Sequence, residues 1–142
     1  PDKKTLISPP FRGEVMAPRD YFTVERHKDE WDRLFARAGK DIDICAFHDG
    51  PAAISSMEAY YTATKEICDK HNIEHWVNVE TFERDVRRQL YPIPFNDLKR
   101  KLELHQKYAE KIVTFEFSHF LSPQSIYPSA RNLNRLYRKF YK

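Results

Sequence analysis

The stretch DIDICAFHDGPAAISSMEAYYTATKEICDKHNIEHWVNVE (residues 41–80) reads as strand, helix, strand. Asp41–Asp49 and Glu74–Glu80 are short, largely apolar runs bounded by turn residues, each of strand length. From about Ser55 to His71 the period becomes helical, with Met57, Tyr61, Thr64 and Cys68 on one stripe. Ser55 and Glu58 form a capping box at its head, and Gly50 after Asp49 is expected in a turn with positive φ. The return link, Asn72–Ile73, is minimal.

The same alternation extends both ways. Upstream, Lys4–Pro9 (KTLISP) reads as a strand. It precedes a helix whose face is Val24, His27, Trp31, Leu34 and Ala38, with Thr23 as its cap and Gly39 as its stop. Downstream, Asn96 is expected to cap a helix with Leu98, Leu102, His105 and Ala109 on its buried stripe. Lys111–Ser118 (KIVTFEFS) follows as a strand. Pro128 opens a last helix, where its missing N–H costs nothing, and Ala130, Leu133, Tyr137 and Phe140 form its inner face.

Strands thus begin near residues 4, 41, 74 and 111, and alternate with helices. This implies an α/β fold with parallel strands and right-handed crossovers. Helix-to-strand links are short, whereas strand-to-helix links are long: about 10–22, 50–54, 81–95 and 119–127. Function in such folds gathers where strand C-termini meet long loops. Four βα units are half of a (β/α)8 barrel, and an open half would leave two bare edges and an uncovered sheet face. Residues 1–142 are therefore expected to be half a barrel. Its complement would come from the rest of a longer polypeptide or a second copy, and the isolated chain is expected to self-associate.

The 142 residues carry 24 basic and 21 acidic side chains, for a net charge of +3, with a pI near 8.9. With 41% hydrophobic residues the chain is too apolar for a disordered one. No apolar run approaches the ~20 residues of a membrane span, so no membrane partner is expected. Arg131, Arg135, Arg138, Lys139 and Lys142 line the polar side of the last helix, a solvated face rather than a nucleic-acid stripe. Cys45 and Cys68 read as small buried packing residues. GxGxxG, P-loop and GxSxG motifs are absent, and no cofactor is expected.

Strand phase selects the candidate site. In Glu74–Glu80, Val77 and Val79 face helices while Trp76, Asn78 and Glu80 face the other way. In the last strand Val113, Phe115 and Phe117 are expected toward the helices, with Thr114, Glu116 and Ser118 opposite. Glu80 and Glu116 would then end adjacent strands about 4.8 Å apart, near the ~5–5.5 Å carboxylate spacing of retaining glycosidases. Aromatic rings beside carboxylates suit sugars, and Trp76, Tyr91, Phe120 and Tyr127 could stack on them. His48 and Asp49 end the second strand and His119 follows Glu116; all three are candidate ligand contacts at the mouth. With Glu80 they could in principle hold a metal, but no tight motif such as HExxH occurs, so no metal is expected. The structural alternative for Glu80 is pairing with Arg84, Arg87 or Arg88 in the following loop.

TLISPPFRG (5–13), DICAFHDG (43–50), WVNVETFERD (76–85) and IVTFEFSHFLSPQSIYPSARNL (112–133) together carry a resemblance. The chain resembles the C-terminal half of an uncharacterised bacterial TIM-barrel family, a domain of unknown function grouped by fold with glycoside hydrolases. The resemblance implies that residues 1–142 supply strands five to eight, and that export is the family habit. No Asn begins an Asn-x-Ser/Thr site. By analogy with retaining glycosidases of this fold, Glu80 falls at the nucleophile position on strand seven, the proton donor lies outside the chain, and Glu116 binds substrate or tunes its neighbour. The function implied is that of a glycoside-hydrolase-like barrel acting on carbohydrate. Alternatives are a non-catalytic carbohydrate-binding module and an inactive fragment of a larger protein.

Overall fold

The structure is a computed structural model that describes residues 3–13, 21–50, 52–84, 87 and 89–141. Four strands, β1 (Leu6–Ile7), β2 (Ile44–His48), β3 (Glu74–Glu80) and β6 (Lys111–Phe115), form one parallel sheet in chain order. Helices α1 (Val24–Ala38), α2 (Ile54–Lys70) and α3 (Phe95–His105) connect them, and α5 (Pro128–Phe140) follows β6. Arg88 lies outside the described residues.

Local chemistry explains most boundaries. Thr23 caps α1 by accepting the Arg26 N–H, and Pro128 opens α5. Asn72 ends α2 in the left-handed region (φ 56°), a conformation asparagine tolerates. Two expected caps are corrected. The first helical residue of α2 is Ile54 and that of α3 is Phe95, so Ser55 and Asn96 sit inside the helices, and Ala53 and Pro94 take the cap positions without a side-chain bond. Two long loops also carry structure of their own. The 81–95 link contains an antiparallel hairpin, β4 (Phe82–Arg84) with β5 (Leu90–Pro92), and Phe117–Phe120 forms a short helix, α4.

The helices cover one sheet face. Cys45, Phe47, Val77 and Val79 point into that layer, with Phe11, Tyr60, Tyr61, Leu98 and Leu102 around them. Phe11 stacks on Phe47 and on Tyr60. Cys45 and Cys68 are both buried free thiols. Two histidines share this dry layer. His27 is enclosed by the rings of Phe11, Trp31, Phe47 and Tyr60, and neither of its ring nitrogens has a partner among the described residues. His75 is tied to Thr64 Oγ1 and the Tyr108 carbonyl. Burial pushes the pKa of each down to about 4.

The opposite face exposes apolar side chains among polar ones: Leu6 is 46%, Val113 38% and Phe115 44% accessible. This corrects the phase expected for β6. In the parallel ladder Val77 pairs with Ile112 and Glu80 with Phe115, so Ile112 and Thr114 lie on the helix side. Val113 and Phe115 share the open side with Asn78 and Glu80. Both faces of β6 carry apolar side chains, as in sheets covered on both sides, and alternation then cannot say which face meets helices. Among the described residues, no helix is long and apolar enough to cross a membrane.

Candidate functional site

The C-terminal ends of β2, β3 and β6 converge on Glu80. It is the last residue of β3, on the open face, and its side chain is only 7% exposed. Oε2 accepts from Arg84 (2.9 Å), and Oε1 lies 3.9 Å from His48 Nδ1. Arg84 is the last residue of β4, so the expected arginine pairing is realised by the hairpin. The carboxylate lies directly against Gly50, where any Cβ would overlap it. Gly50 is therefore needed for close approach and not for a positive φ, which no described glycine adopts.

Asp49 is corrected from ligand contact to buried anchor. Neighbouring residues on a strand point to opposite faces, so with His48 on the open side Asp49 turns toward the helices, where it is fully buried. Its Oδ1 accepts the Glu80 N–H (2.8 Å), while Oδ2 takes Lys101 Nζ (3.2 Å) and His105 Nε2 (3.1 Å), both from α3. Burial works against its charge, but Lys101, His105 and the Glu80 N–H outweigh it and hold the carboxyl below the ordinary carboxylate range. Burial, opposed by Asp49, pushes His105 down; burial, with the charges of Asp49 and Glu80, pushes the neighbouring Tyr61 phenol up. Lys101→Met would strand the Asp49 carboxylate without its cation. The expected loss is about 3–5 kcal/mol in urea unfolding, partly restored by adding Asp49→Asn.

Of the other expected residues only Asn78 joins His48 and Glu80. Asn78 is one turn of the pleat below Glu80 and bonds His48 and Ser8. Trp76 shares their face but lies four residues, about 13 Å, down the strand from Glu80, with Lys111 Nζ 4.5 Å above its ring. It does not reach the mouth. Glu116 is also corrected: it is one residue past Phe115, the register partner of Glu80, and caps α4. Its Oε1 accepts the His119 N–H (2.6 Å) and meets His119 Nδ1 (2.9 Å), leaving the imidazole 65% exposed. Tyr127 stacks on Phe120 (5.6 Å), which packs on Phe82 (4.8 Å). Tyr91 donates to Glu83.

Beside Glu80 a cleft of about 220 Å³ opens between the 49–54 loop and the hairpin, lined by Gly50, Ala53, Met57, Phe82, Arg84 and Lys101. The sequence reading gives Lys101 no place at the site, and His105 only one on a buried helix stripe. Their signal is a pair of basic residues four apart on an otherwise apolar helix face. Among the described residues no group of three His, Cys, Asp or Glu side chains is placed to hold a metal ion.

A crystal structure from Bacteroides thetaiotaomicron VPI-5482, described as "a putative alpha-L-fucosidase", superposes with a TM-score of 0.91 over 97% of this chain, at 36% identity. The chain spans only 45% of that structure's length. No curated protein matches it. Residues 1–127 match the model of DUF4434, a domain of unknown function, and the chain belongs to that family.

Proposed function

We propose that the chain supplies strands five to eight of a (β/α)8 barrel that hydrolyses a glycosidic bond, with Glu80 as its nucleophile. The observation that carries this reading is the placement of Glu80. A nearly buried carboxylate ends β3 on the open face; its backbone N–H is anchored by Asp49, its oxygens are flanked by His48 and Arg84, and Gly50 gives it room. Preorganised carboxylates of this kind form and release glycosyl-enzyme intermediates. Further support comes from the apolar side chains exposed on the open sheet face, which a complementary half or a second copy would cover, and from the likeness to a structure described as "a putative alpha-L-fucosidase". In this reading the proton donor comes from the complement. His48 and Asn78 line the carbohydrate side of Glu80, Tyr127 and the exposed His119 lie on the rim, and Glu116 orients His119.

The Arg84–Glu80 ion pair favours a second reading, a module that binds glycan without cleaving it, because a cationic partner lowers the carboxylate's nucleophilicity. Incubating the full-length protein with aryl glycosides, α-L-fucoside included, separates the two. Saturable release of the phenol is expected. Saturable sugar binding by calorimetry with no product would establish the binding module instead.

A further inference from the structure

We infer that His48 is a positioning residue for Glu80, and that Ser8 and Asn78 fix its proton on the nitrogen that faces the carboxylate. The inference follows from hydrogen-bond bookkeeping on the open face. Ser8 Oγ donates its single proton to the Ala46 carbonyl (2.8 Å), so toward Asn78 it can only accept. The group of Asn78 that meets it, at 3.1 Å, is therefore the amino end of the amide, which fixes the amide's orientation. The same nitrogen lies 3.1 Å from His48 Nε2. Its second N–H donates there, so Nε2 of the neutral ring is bare and the proton resides on Nδ1.

That placement matters for Glu80. Nδ1 is the atom 3.9 Å from Oε1, too far for a hydrogen bond but close enough for its N–H dipole to attract the carboxylate. The other tautomer would aim a lone pair at the same oxygen and push it away. Phe115 packs edge-on against the imidazole (5.6 Å), on the face that Glu80 shares. Ser8 comes from the end of β1, Ala46 and His48 from β2, and Asn78 and Glu80 from β3. Three consecutive strands thus contribute to one device, and His48 and Asn78 are direct register partners.

The kinetic part rests on the hydrolase reading; the tautomer does not. Full-length protein labelled with ¹⁵N-histidine is studied by two-bond ¹⁵N–¹H correlation at alkaline pH. His48 is expected to show a protonated Nδ1 and a bare Nε2, and Asn78→Asp, which replaces the amino donor with an acceptor, is expected to bring a proton onto Nε2. A wild-type ring protonated on Nε2, or an Asn78→Asp spectrum identical to wild type, would overturn the inference. In kinetics, the amide nitrogen of His48→Asn sits near the place of Nδ1, whereas His48→Gln reaches only that of Nε2. The Asn variant should retain about tenfold more kcat than the Gln variant at similar KM, and equal losses would refute positioning. Absence of hydrolysis by wild type would strike the hydrolase reading and leave the spectroscopic result standing.

Discussion

Glu80→Gln in the full-length protein is expected to lower kcat for glycoside hydrolysis by about 10³-fold or more, with KM little changed. Glutamine keeps the shape of the side chain and can still accept from Arg84 through its carbonyl. What it loses is the negative charge, and with it the ability to attack an anomeric carbon and leave again. The backbone at this position is held by Asp49, whose bond is to the residue 80 N–H and survives the change. Folding should therefore persist, which near-UV circular dichroism would verify in the same samples. Hydrolysis at the wild-type rate would remove Glu80 from the mechanism and return it to the role of an arginine's partner.

Acid should begin to destabilise the protein above the range where carboxylates titrate. His27 and His75 are neutral in the folded state down to about pH 4 because burial disfavours the imidazolium; for His27 the Arg12 charge adds to this. Once unfolded, both rings regain a pKa near 6.5. Between these limits the unfolded chain binds more protons than the folded one, so stability rises with pH across that window. It is complete above about pH 6.5 and is lost as pH falls toward 4, by roughly 3 kcal/mol for each ring. Two such losses are comparable with the 5–15 kcal/mol that holds a typical domain together. Asp49, whose carboxyl is held low, adds a further loss only at still lower pH. Urea midpoints measured from pH 7.5 to 4.5 should fall steeply below pH 6.5. His27→Phe, an apolar ring among rings, should make the slope measurably shallower, the remainder coming from His75 and the similarly buried His105. A midpoint flat to pH 4.5 would mean that these histidines are not sealed from protons.

How far the chain could be read beforehand depended on which face of each strand was polar. β3 was legible to the residue, Glu74–Glu80, because Val77 and Val79 alternate with Asn78 and Glu80 and only one face is apolar. β6 was not, because its Ile112 and its Val113 and Phe115 offer apolar stripes on both sides. The helices were found from their buried stripes, but Ser55 and Asn96 misplaced two of their starts. Capping chemistry is only a preference, and here Ala53 and Pro94 hold the cap positions with no side-chain bond. The β4–β5 hairpin escaped notice since each strand has three residues and a charged run separates them. At the site, Glu80, His48 and Asn78 meet as their register requires. Asp49 was misassigned because its adjacency to His48 in sequence places it on the opposite face in space. Its partners Lys101 and His105 come from a different unit, and no local pattern links them to it.

Strand order that follows chain order has a kinetic consequence. Leu6 meets Ile44, Ile44 meets Glu74 and Trp76 meets Lys111, so every ladder of the parallel sheet closes a loop of about 30–40 residues, a cost that grows only with the logarithm of loop length. No ladder must wait for the two ends of the chain to find each other. Assembly can begin at any one crossover and spread sideways, strand by strand, much as a stack of repeats propagates from its first ordered neighbours.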